Sequence, residues 1–122
     1  ADYGYHYARS IPTGFFHPVD FLAWQRPLHI GFLLNPFVTR EALLAWGLPL
    51  SALQPERLFR HLFLLLQPQK GVAILSNVDD HEIDISHQIA KTVGFRLGEI
   101  KRWESVKPDN DQPRYGTILY TD

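Results

Sequence analysis

His29-Ile30-Gly31-Phe32-Leu33-Leu34, closed by Asn35-Pro36, is a short apolar run without alternation. Such a run suits a strand buried on both faces, as in a parallel sheet, and Asn-Pro is turn punctuation that ends it. Gly71-Val72-Ala73-Ile74-Leu75-Ser76 repeats the signature. The segment joining the two runs reads as helical. Thr39 caps a short helix through Arg40 to Trp46, and Gly47 stops it. Pro55 stands at a first helical position, Leu58, Leu62, Leu65 and Leu66 share one side, and Pro68 ends the helix. His61 lies on the polar side of that helix and reads as solvated.

Beyond the second strand, Asp79 and Asp80 start a third helix, with Glu82 completing a capping-box pattern. Its apolar stripe is Ile85, Ile89, Ala90 and Val93, and Gly94 terminates it. Phe95 to Trp103 reads as a strand, Lys107 to Pro113 as a loop, and Tyr115 to Tyr120 as a last strand. That loop is shorter than the dozen or so residues a parallel crossover needs, so the last strand should run antiparallel. Residues 1–28 are the least readable. Tyr3, Tyr5 and Tyr7 alternate as in a strand, Phe15-Phe16 could open another, and Asp20 can cap a turn over Phe21 to Trp24.

The expected fold is therefore an open α/β domain, Rossmann-like, with a mostly parallel sheet, helices on both faces and an antiparallel last strand. Residues 1–122 read as one domain, in which 1–28 form an N-terminal segment and 29–122 the sheet-bearing part. A chain of 122 residues with 45% apolar and 13% aromatic side chains can fill one core. With no cysteine, disulfides, thiolate zinc sites and cysteine nucleophiles are excluded. No HExxH or carboxylate pairing accompanies the six histidines, so no metal site is expected, and no serine has a G-x-S-x-G surround. A net charge of -1 gives no Lys/Arg excess of the kind nucleic-acid coats need. Arg96, Lys101, Arg102, Lys107 and Arg114 gather late in the chain, either as a phosphate-contacting surface or as a mixed solvated face. No apolar run approaches the roughly 20 residues of a membrane span, and the default expectation is a cytoplasmic protein.

The strand order and several short motifs together resemble the C-terminal half of the class I, S-adenosylmethionine-dependent methyltransferases. Asn35-Pro36-Phe37 after the first apolar strand is similar to the (Asn/Asp)-Pro-Pro-(Tyr/Phe) motif that follows the family's fourth strand. Leu64 to Leu75, with Pro68 and Gly71, resembles the leucine-rich helix end and Pro-Gly-Gly turn that lead into the fifth. Val93-Gly94-Phe95 resembles the turn that opens the sixth, and Phe16 to Phe21 the acidic motif after the third. The resemblance covers roughly residues 15–122.

It implies S-adenosylmethionine as cofactor and methyl transfer to a nitrogen acceptor, with nucleic acid or protein as substrate classes. By this resemblance Asn35, Pro36 and Phe37 are the catalytic candidates, the Asn oxygen and the Pro carbonyl accepting hydrogen bonds from a target amine. Asp20 and Phe21 are the cofactor-binding candidates, for the adenine or ribose and for ring stacking. Without the resemblance, Asn35-Pro36 is a strand-ending turn, Asp20 an N-cap and Phe21 a core residue. The second Pro of the first motif is Phe37 here, and Gln69 and Lys70 stand where glycines follow the helix-ending Pro. The family's glycine-rich cofactor loop has no counterpart, so the chain alone is expected to bind the cofactor weakly or not at all. It reads as a fragment or remnant of a transferase. The other reading is a non-catalytic α/β interaction module that kept the half-fold. In the family the strand at 29–34 lies inside the sheet, so its free edge calls for a covering N-terminal strand, a homodimer or a partner chain.

Overall fold

Parallel pairing of the two apolar runs organises the fold. In the computed structural model, which describes Arg9, residues 20–103 and residues 114–122, β1 (Ile30–Leu34) runs parallel to β2 (Val72–Asn77). Their register runs from Ile30 opposite Val72 to Leu34 opposite Ser76. β4 (Arg114–Tyr120) pairs antiparallel with β2 on one side and with β3 (Arg96–Trp103) on the other, giving the order β1-β2-β4-β3. The antiparallel last strand expected from its short connection is present, inserted between two strands that precede it in the chain.

Three helices join these strands. α1 (Arg40–Ala45) starts at Thr39, whose hydroxyl accepts from Ala42 N at 3.3 Å, and Gly47 follows it with φ 73°. α2 (Pro55–Leu66) has Pro at its first position and passes into a 3-10 turn over Gln67–Gln69. α3 (Asp80–Val93) is capped by Asp79 and ends at Gly94 with φ 127°. Lys70, where the resembled family has a glycine, takes the left-handed φ of 51° itself. The true close approach falls one residue later: a Cβ on Gly71 would lie 2.6 Å from His29 O and 2.8 Å from a Leu66 methyl.

α2 and α3 lie side by side on one face of the sheet, where Leu33, Ala73, Leu75 and Leu119 meet Phe59, Leu62, Leu66, Ile83 and Ala90. Gly31 lets α2 come this near, since a Cβ there would stand 2.7 Å from Leu62 Cδ1. Each fully buried Leu or Phe of this layer contributes about 1.5–3 kcal/mol of transfer free energy.

Several sequence expectations need correction. β1 is not buried on both faces: Gly31 and Leu33 are buried, while Ile30, Phe32 and Leu34 are exposed by 56%, 63% and 66%. Phe32 continues across the sheet through Ile74 to Ile118 in a direct row. Of the two expected helical layers, the packing of the described residues forms the one made by α2 and α3, and this row stands open on the other side. The inward side of α2 includes Phe59, which is wholly buried, with Leu58 only partly so. α3 turns Ile83, Ser86, His87 and Ala90 inward, and the expected Ile85, Ile89 and Val93 flank that line. Asp20 caps a 3-10 turn over Phe21–Ala23, close to the expected helical turn.

The candidate strands at Tyr3 to Tyr7 and Phe15-Phe16, and the loop at 107–113, lie outside the described residues. β1 is therefore an edge of the described sheet. Arg96 and Arg102 each have local partners. Arg96 pairs with Asp122 at 3.2 Å and lies 4.4 Å from the centre of the Tyr120 ring, and Arg102 meets Tyr115. No helix among the described residues is long and apolar enough to cross a membrane.

Candidate functional site

The carboxyl end of β1 carries the site. In open α/β sheets ligands bind beyond the carboxyl ends of parallel strands, and Asn35-Pro36-Phe37 leaves β1 at that end. Asn35 N donates to Ser76 O at 2.9 Å, which extends the β1–β2 ladder one residue past the strand. The residue itself then turns to φ 52°, a left-handed conformation in a residue that precedes proline. Pre-proline residues favour extended backbone, so this geometry is sparsely populated and costs about 1–3 kcal/mol. Asn tolerates it better than most residues other than Gly. A plain strand-ending turn could use cheaper backbone.

Asn35, Pro36 and Phe37 line a cleft of about 510 Å³ together with Leu34, Ala42, Trp46, Val78 and Glu82. Trp46, 77% exposed just after α1, meets Phe37 edge to face with ring centres 6.3 Å apart. Glu82 comes from the first turn of α3. The cap there is filled by Asp79, whose carboxylate accepts from Glu82 N at 2.6 Å. The expected capping box is therefore one-sided, since the Glu82 carboxyl makes no hydrogen bond or ion pair among the described residues. Burial pushes this carboxyl above the ordinary carboxylate range, Asp79 adds to the rise, and His81 opposes it.

Asp20 and Phe21 line a second cleft, of about 360 Å³, with Leu22, Phe37, Gln54 and Leu58 among its walls. Phe37 is shared, so both sets of sequence candidates meet at one ring. Both side chains also have local partners. The Asp20 carboxylate accepts from Leu22 N at 3.0 Å as a cap, and Phe21 packs against the core and edge-on to His61 at 5.2 Å. His61 is correspondingly not a solvated residue, because its Nε2 lies 2.7 Å from Trp24 O. Among the described residues, then, the cofactor-binding candidates are a turn cap and a ring packed against the core, and the sequence has no glycine-rich loop beside them.

Under α3 lies a polar layer that sequence reasoning missed. His87 bonds Thr117 of β4, and Asn77 and Ser86 are fully buried with no hydrogen-bond partner for their side chains among the described residues. At the rim the Tyr115 hydroxyl donates to Asp80, and that bond is the leading cause of its raised pKa. Trp46 and Glu82 were also missed. Glu82 carried a signal, but it was absorbed by the capping-box pattern. No group of three His, Cys, Asp or Glu among the described residues is placed to hold a metal.

No protein-family model matches the chain, and no curated protein does. Solved structures do. Magnesium protoporphyrin IX methyltransferase (ChlM) of Synechocystis PCC 6803, solved with bound SAM, matches over 94% of this chain at 15% identity and a TM-score of 0.57. The fold is that of a class I methyltransferase. Precorrin-6y C5,15-methyltransferase of Geobacter metallireducens matches over 78% of the chain at 11% identity and a TM-score of 0.47. The match takes in 51% and 45% of those two proteins, so the chain spans about half the length of the methyltransferases it resembles. In methyltransferase terms the sheet described above is a partial one, ending at β1.

Proposed function

We propose that the chain is the acceptor-side half of an S-adenosylmethionine-dependent methyltransferase acting on nitrogen. The observation that carries this reading is Asn35, held at φ 52° at the carboxyl end of β1 and opening on a cleft. In that position its side-chain oxygen and the Pro36 carbonyl can accept hydrogen bonds from an amine and aim its lone pair, while Phe37 and Trp46 exclude water from one side. The methyl donor is held mainly by polypeptide beyond the described residues, which would extend the sheet at the free edge of β1.

The test is Asn35→Ala in a form of the protein that transfers methyl groups. Turnover should fall at least a hundredfold with little change in stability, because the side chain is exposed and fills no core volume. Asn35→Gly should lose as much activity while relaxing the backbone, which separates the side chain's role from the turn's. An unchanged rate in either variant reduces Asn35-Pro36 to a turn.

The open row of Phe32, Ile74 and Ile118 favours a second reading, a non-catalytic module that binds another protein through this face. It expects no methyl transfer in any longer form, and unaltered partner binding in Asn35→Ala.

A further inference from the structure

β2 turns Ala73, Leu75 and Asn77 inward in alternation, so a face that begins apolar ends on an amide. Asn77 is wholly buried, and neither its amide nitrogen nor its amide oxygen has a hydrogen-bond partner among the described residues. The same holds for the Ser86 hydroxyl, on the inward line of α3. A mid-helix hydroxyl can bond back to the carbonyl four residues earlier, as Thr92 does to Gln88 O at 2.9 Å, but Ser86 does not. The bond from His87 to Thr117 sets the level at which helix meets sheet. Thr117 lies opposite Leu75, and Asn77 is the next inward residue of β2, about 6.6 Å nearer its carboxyl end. α3 starts just beyond that end and packs back against β2, so Ser86 is displaced from His87 toward Asn77. The two orphaned side chains therefore occupy neighbouring levels of one polar layer.

We infer that the wedge between α3 and the β2–β4 pair binds an ordered water molecule, held jointly by the Asn77 amide and the Ser86 hydroxyl. Buried polar groups in folded proteins are paired with protein or with ordered water, because a dry, unbonded amide is costly. Water suits this donor and acceptor set. It donates to an amide oxygen, accepts from an amide nitrogen, does either with a hydroxyl, and requires two to four such partners. Asn77, Ser86 and Thr117 carry no charge, so an ion would find no counter-charge in them, and an apolar guest would leave the amide unbonded. α3 is thus docked by apolar contact through Ile83 and Ala90, with a hydrated polar joint between them.

Two measurements on the chain test this. A crystal structure at atomic resolution should place a water oxygen within hydrogen-bonding distance of both the Asn77 amide and the Ser86 hydroxyl. Oxygen-17 relaxation dispersion counts long-lived waters in solution without interference from exchanging hydroxyl hydrogens. Asn77→Leu, which fills a similar volume without polar atoms, should lower that count by at least one water molecule. Should Asn77→Leu fail to fold, the crystal structure of the unaltered chain decides alone. A direct bond from Asn77 to Ser86 or to residues outside those described, with no water between, would overturn the inference. A water touching only one of the two side chains, or an unchanged dispersion in a folded Asn77→Leu variant, would overturn it equally.

Discussion

The Nε2 of His87 in α3 lies 2.8 Å from the hydroxyl of Thr117 in β4, a buried bridge between the helical layer and the inserted strand. Burial, the leading cause, lowers the His87 pKa; Asp84 opposes it and Lys91 adds to it. In the folded protein this imidazole therefore takes up its proton at a lower pH than in the unfolded chain, where it does so near the ordinary value of 6.5. The unfolded state binds more protons as the pH falls, so this group's stability is complete above about 6.5 and declines below it. Denaturant titrations between pH 8 and pH 5 should show that decline, and His87→Gln should flatten it. Thr117→Val should cost about 1–3 kcal/mol by leaving the ring nitrogen unsatisfied. An identical pH slope in His87→Gln would exclude His87 as its source.

Lys70 sits at φ 51° in the turn between α2 and β2. The left-handed region costs a side-chain-bearing residue about 1–2 kcal/mol, and glycine nearly nothing. Part of the gain is offset by the greater freedom of glycine in the unfolded chain. Lys70→Gly should raise the stability by about 0.5–1 kcal/mol, seen as a higher Tm in calorimetry. A lowered Tm would mean that the lysine side chain contributes more than its backbone costs.

Asp20 caps a turn, Phe21 packs against the core, and the sequence has no glycine-rich loop, so the chain of 122 residues should not hold S-adenosylmethionine on its own. Titration calorimetry should detect no saturable heat. Binding in the low-micromolar range would require a site among residues outside those described.

Ile30, Phe32 and Leu34 present an uncharged apolar edge, which proteins ordinarily cover or charge. Either residues 1–14 or another polypeptide should cover it. Hydrogen exchange would then protect the β1 amides that β2 does not bond, and sedimentation at rising concentration would tell internal cover from association. Phe32→Lys should abolish association if that is the cover. A monomer with those amides exchanging freely would refute both, along with the placement of β1.

Element positions were legible because Gly and Pro punctuate them. Pro55, Gly47, Gly94 and the Asn35-Pro36 pair each stand where the structure starts or stops an element. One-sided burial of β1 was not legible. Ile30, Phe32 and Leu34 are as apolar as the buried Leu33, and composition alone does not say which face finds a partner. His61 and Glu82 failed for a related reason. Each was assigned by its helical position, whereas His61 answers to Trp24 O across the fold and Glu82 to a cleft made by a distant turn. Asn35-Pro36-Phe37 was legible as a motif, but its left-handed backbone was not, nor was the cleft that brings Ala42 and Trp46 to it.

The insertion of β4 between β2 and β3 has a consequence for the order of events during folding. β1 and β2, with α2 between them, can dock as soon as the chain through Asn77 is available. β3 cannot join the sheet then, because its hydrogen-bonding neighbour is β4 and not β2. Until β4 slides into the gap, β2 keeps a bare side and β3 hangs from α3 without its hydrogen-bonding neighbour. Such late, non-local pairing slows folding and prolongs exposure of sticky edges. The most vulnerable moment for this chain in a cell would thus be the interval between synthesis of Trp103 and arrival of Tyr120, when a chaperone or a neighbouring nascent chain competes for the same strand.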